Sequence, residues 1–125
     1  MEDLNPVDPR KKQLIESYGG GRFTVSNRPY DTGIVILPWC TTPWSATDVS
    51  ALTLDDLSDV IDATPSIELL LVGSGPTIVF LPPPVRKALR EKGIAVEVMD
   101  TGAACRTYNV LVAEDRRVAA ALIAV

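Results

Sequence analysis

Short β-rich runs open the pattern of apolar and polar positions: Gln13 to Tyr18, Arg22 to Ser26 and Gly33 to Leu37, separated by Gly19-Gly20-Gly21 and by the turn-prone stretch Asn27-Arg28-Pro29-Tyr30-Asp31-Thr32. This spacing predicts a strand meander. Pro38 to Trp44 carries both tryptophans between two prolines and reads as a loop, with Trp39 and Trp44 closing over the core. Thr53-Leu54-Asp55-Asp56 resembles a capping box, and Leu54, Leu57, Val60 and Ile61 follow at helical spacing, which predicts a helix ending before Pro65. Ile67 to Val72 is apolar apart from Glu68, as expected in a sheet covered on both faces. Thr77 to Leu81 is predicted to be a further strand.

Pro83 and Pro84 suit the first turn of a helix whose apolar stripe is Val85, Ala88 and Leu89 and whose stop is Gly93. Ile94 to Met99 then alternates as a strand. Strand, helix and strand in that order imply a crossover and a partly parallel sheet. Asp100 or Thr101 caps a last helix running to about Ala113, and Arg117 to Val125 closes the chain as a buried strand. With 125 residues, 46% of them hydrophobic, one core suffices, so a mobile tail over residues 1–12 and a single α/β domain over 13–125 are expected.

Twelve Lys+Arg against sixteen Asp+Glu give a net charge of −4 with no basic stripe, which argues against nucleic acid as a partner. The chain has no histidine, which excludes Ser-His and Cys-His catalysis, and two cysteines cannot build a zinc site of the usual ligand count. The acidic face of Asp55, Asp56, Asp59 and Asp62 lacks the spacing of a calcium loop. No metal and no cofactor are therefore expected. The uncharged run Leu69 to Val85 is broken by Gly73-Ser74-Gly75-Pro76 and by Pro82-Pro83-Pro84, so no transmembrane segment is expected, and an N-terminus without an apolar signal stretch suggests the cytoplasm with both thiols free. Gly73-Ser74-Gly75 lacks the third glycine of a dinucleotide fingerprint and the Gly-Lys-Ser/Thr of a phosphate loop, and reads as a tight connection.

The strongest chemical signal is Cys105-Arg106-Thr107-Tyr108-Asn109, five polar-capable residues in one helical turn and a half. At about 100° per residue they sweep the whole circumference, so some must find partners inside the protein or face a cavity. Cys105 and Asn109 share one stripe. The small residues Gly102, Ala103 and Ala104 allow close approach at the helix start, where the dipole would favour an anion or a thiolate. Against covalent chemistry stands the lack of a base, since Arg106 can lower a thiol pKa but cannot take its proton. A packed polar cluster needs no further assumption.

Gly73-Ser74-Gly75, Phe80-Leu81-Pro82, Met99-Asp100-Thr101, Cys105 to Asn109, Glu114-Asp115-Arg116-Arg117-Val118 and Ala120-Ala121-Leu122-Ile123 together resemble domain-of-unknown-function family 498, the Mth938-like domain, over roughly Ile15 to Ile123. The resemblance implies a compact α/β domain with a mixed sheet, β-hammerhead-like N-terminal strands and about three helices, in a family with no established catalytic activity or cofactor. For eukaryotic relatives it implies a helper role in assembling respiratory complex I. The chain reads as a bacterial member, with an acidic Glu114-Asp115 where relatives often place a glycine.

Two functions remain open. One is a non-catalytic assembly or interaction module, with Gly73, Ser74, Gly75, Cys105, Arg106, Tyr108 and Asn109 bordering the pocket or partner surface. Its expected partner is a protein, from the respiratory complex or from membrane-insertion components, and it could act as a monomer or a dimer. The other is a small-molecule or anion-binding protein, or an enzyme using Cys105, with the glycine loop and the helix N-terminus as donors.

Overall fold

The computed structural model describes residues 12–125, so the tail expected over residues 1–12 lies, apart from Lys12, outside the described residues. Two strands are buried at every position, β4 (Gly33–Leu37) and β8 (Val118–Leu122). Side chains alternate between the faces of a strand, so a run without polar interruption must be covered on both. β4 and β8 pair antiparallel at the middle of a five-stranded sheet with β5 (Cys40–Trp44), β6 (Leu69–Gly73) and β7 (Ala95–Met99). The order is β5-β4-β8-β6-β7, and β6 runs parallel to both β7 and β8, which makes the sheet mixed.

Strand alternation divides the core in two. Ile34, Ile36, Leu71, Val118, Ala120 and Leu122 face one side, where α3 (Thr101–Ala113) packs with Ala104, Cys105, Tyr108 and Val112. The same side receives Ile15, Phe23 and Val25 from a separate antiparallel sheet of β1 (Ile15–Gly19), β2 (Arg22–Val25) and β3 (Arg28–Tyr30). Val35, Leu37, Leu70, Val72, Ala119 and Ala121 face the other side. There the cover is two 3-10 turns, Val49–Ala51 and Leu54–Leu57, with α1 (Ser58–Ile61) and α2 (Pro83–Glu91).

The N-terminal strands, the mixed sheet and the three α-helices agree with the expected fold, and β6, α2 and β7 form the expected parallel unit. Five local expectations need correction. Asn27 to Thr32, expected to be a turn, holds β3, which pairs with β2, and β4, expected to continue the N-terminal meander, pairs instead with β5 and β8 in the five-stranded sheet. Cys40–Trp44 is a strand, although Pro38 to Trp44 reads as a loop; β5 is an edge strand, where Pro43 opposite Ile34 can lack an N–H. Trp44 is nonetheless in the core, with its indole N–H donated to the Asp56 carbonyl at 2.9 Å. Thr77 to Leu81 is not a strand. Both edges of β6 are taken by β7 and β8, so a following β-prone segment finds no ladder to join. The helix expected after Thr53 is a 3-10 turn passing into one short α-turn, with the Asp56 carboxylate accepting from the Thr53 N–H at 2.8 Å as a capping box requires.

Candidate functional site

The start of α3 is built from three neighbouring segments. Asp100 caps the helix by accepting from the Ala103 N–H at 2.9 Å. Thr101 is wholly buried; its hydroxyl donates to the Ile123 carbonyl at 2.8 Å and accepts from the Gly75 N–H at 2.9 Å. The Thr101 N–H returns to the Gly75 carbonyl at 2.9 Å, and the Ser74 N–H to that of Met99 at 2.9 Å. Gly73 must be glycine, because a Cβ there would stand 2.8 Å from a Leu122 methyl and 3.0 Å from the Thr101 Cα.

An anion site at this point would need free donors. The Ser74 and Gly75 amides already have acceptors, as do those of Thr101, Ala103 and Ala104, which leaves the Gly102 N–H as the one amide here without an internal acceptor among the described residues. The Ser74 hydroxyl is spent as well, donating to the Thr77 carbonyl at 2.7 Å and accepting from the Val79 N–H at 2.9 Å. The Asp100 carboxylate occupies the positive end of the helix where an anion would sit.

The polar run on α3 turns toward β1. Asn109 accepts from the Ile15 N–H at 2.9 Å and donates to the Ile15 carbonyl at 2.8 Å, so one side-chain amide pairs with both backbone groups as a neighbouring strand would. Tyr108, fully buried, donates its hydroxyl to the Gln13 carbonyl at 3.0 Å. One turn earlier, Arg106 donates to the Tyr18 hydroxyl at 2.7 Å, and the Tyr18 ring lies over Gly102, where a Cβ would come within 3.1 Å of the phenol oxygen. Together these contacts clip the free edge of β1 to α3.

Cys105 is 1% exposed, and burial pushes its thiol up to about 12; the Arg106 charge lowers it without offsetting the burial, and the Asp100 charge adds to the rise. A thiolate is therefore scarce at neutral pH. Burial also raises the Tyr108 phenol, which stays a neutral donor. Among the described residues no group of three His, Cys, Asp or Glu side chains is placed to hold a metal ion.

Of the seven residues singled out from the sequence, Gly73, Ser74, Gly75, Cys105 and Tyr108 are buried, Asn109 is half-buried, and Arg106 alone is exposed. Sequence reasoning missed Tyr18 and Val110, which border Arg106 on the surface at 40% and 57% exposure. Val110 follows Arg106 at i+4 and could have been found from helical spacing. Tyr18 reaches α3 through a contact spanning 88 residues, which no local pattern announces.

A mixed sheet carrying α3 and a three-stranded sheet on one face and α2 on the other defines an Mth938-like α/β domain. The chain belongs to the family described as protein of unknown function (DUF498/DUF598), whose model matches residues 15–123. It is 36% identical over 116 residues to the NADH dehydrogenase [ubiquinone] 1 alpha subcomplex assembly factor 3 of Xenopus tropicalis, covering 93% of this chain and 63% of that one. An uncharacterized protein of Rhodobacter capsulatus is 35% identical over 109 residues, covering 87% of this chain and 82% of its own. The chain thus spans about three fifths of the assembly factor it matches. Among solved structures, one described as an outer membrane protein from Bartonella henselae is 39% identical with a TM-score of 0.83, covering 90% of this chain and 95% of that one. A Bordetella pertussis protein described as a Mth938-like domain is 27% identical with a TM-score of 0.79, covering 98% and 92%.

Proposed function

We propose that the protein is a non-catalytic bacterial assembly module that works in the cytoplasm and presents the outer face of α3 to a polypeptide of a respiratory complex or of its insertion machinery. The observation that carries this reading is the division of labour in the polar run. Tyr108 and Asn109 are spent inside on β1, and Arg106 is left at the surface between Tyr18 and Val110. A tyrosine held by an arginine beside an exposed aliphatic side chain is the composition favoured at the energetic centre of protein interfaces. The name of the Xenopus tropicalis relative, an NADH dehydrogenase assembly factor, points to the same kind of partner.

The alternative, an anion-binding protein or an enzyme using Cys105, loses all but the Gly102 N–H of its amide donors to internal bonds and its nucleophile to burial. The test is complementation of a host in which the gene is deleted, with NADH dehydrogenase assembly followed on native gels. Wild-type chain should restore the mature complex, whereas Arg106→Glu with Val110→Asp should fold normally and leave assembly intermediates. Full restoration by that double variant would refute the assignment of this face.

A further inference from the structure

On the opposite side of the main sheet from α3, the segment between β6 and α2 leaves apolar side chains in water. Ile78 is 53% exposed and Phe80 70% exposed, and no charged residue occurs from Leu69 to Val85. The segment continues into α2, where Val85 and Leu89 face the core and Lys87 and Arg90 point outward, followed by Lys92. Pro83, Lys87 and Arg90 fall at i, i+4 and i+7, so the apolar loop runs directly into a cationic stripe. No Lys or Arg occurs between Pro29 and Val85, which makes this concentration of positive charge a local feature of an acidic chain.

We infer that this loop and stripe form a docking surface for an anionic membrane, with Ile78 and Phe80 entering the headgroup–acyl boundary and Lys87, Arg90 and Lys92 meeting lipid phosphates. An apolar tip flanked by cations is the composition that binds bilayer interfaces. Two apolar side chains on a loop are a small patch for a specific protein contact, which typically buries about 800 Å² per partner. A bilayer deforms around such a tip. The inference uses a different face from the proposed function and stands or falls without it.

The test is co-sedimentation of the full chain with vesicles of phosphatidylcholine alone and of phosphatidylcholine mixed equally with phosphatidylglycerol, at low and high salt. Binding is expected only to the anionic vesicles and weaker in high salt. Ile78→Ser with Phe80→Ser, and separately Lys87→Glu with Arg90→Glu, should each lower it about tenfold or more. Phe80→Trp should keep binding and add a blue-shifted emission. All of these positions are exposed, so the variants retain the core, which a urea unfolding curve verifies. Absence of binding to anionic vesicles, or binding unchanged in both double variants, overturns the inference. Capture by polyglutamate without capture by vesicles overturns it in favour of an acidic polypeptide.

Discussion

Removing the Asn109 amide tests the clip between α3 and β1 most sharply. The side chain makes two hydrogen bonds to one residue, at 2.9 and 2.8 Å, and Ile15 is only 6% exposed, so water replaces neither bond easily. Each lost bond costs about 1 kcal/mol net, and a buried backbone group left without a partner costs about 1–3 kcal/mol, so Asn109→Ala should destabilise by roughly 2–4 kcal/mol. Asn109→Asp should be no better, because it keeps an acceptor for the Ile15 N–H but turns a carboxylate oxygen toward the Ile15 carbonyl. Urea unfolding measures the loss, and hydrogen exchange localises it. The Ile15 amide should lose protection early in both variants while β4 and β8 follow the global stability. A cost below about 0.5 kcal/mol for both variants, with Ile15 protection unchanged, would refute the clip.

Tyr108→Phe should cost about 1 kcal/mol in chemical denaturation, since only the hydroxyl bond to Gln13 is lost and the ring volume is kept. Stability should also fall at alkaline pH. The Cys105 thiol ionises near its ordinary 9.0 when unfolded but only at about 12 when folded, so above pH 9 the native state binds a proton that the unfolded state has released. The loss from this group is about 1.4 kcal/mol at pH 10, and Cys105→Ala should flatten that limb of a stability–pH profile. Thiol labelling of the native protein near neutral pH should modify Cys40, which is partly exposed, well before the buried Cys105, although burial and the charge of Asp59 raise the Cys40 thiol too. Peptide mapping after brief alkylation would show the order.

Much of the fold is legible in the sequence because its signals are local. Fully apolar runs announce strands covered on both faces, and the prolines and Gly93 bracket α2, which the structure places at Pro83–Glu91. The failures arise where a neighbour decides. Cys40–Trp44 becomes a strand because β4 offers it a free edge, whereas Thr77 to Leu81, with better β-formers, stays irregular because β6 has no edge left. The candidate site follows the same rule. Composition alone removes histidine and zinc chemistry, and helical spacing shows that Cys105 and Asn109 share a stripe. The inward direction of Tyr108 and Asn109 depends on where β1 lies, 94 or 95 residues earlier in the chain. That placement turns a run resembling an active site into a fastening, and leaves Arg106 with Tyr18 as the part open to a partner.

Site-specific photocrosslinking measures the central claim most directly. A benzophenone side chain at Val110, on the exposed face of α3, is compared with the same group at Glu97 on the outer edge strand β7, with ultraviolet irradiation in cells that are assembling NADH dehydrogenase. The account predicts adducts from position 110 to a subunit or assembly intermediate of that complex, reduced by Arg106→Glu and missing from position 97. Equal crosslinking from both positions, or adducts at 110 that Arg106→Glu leaves unchanged, would contradict it.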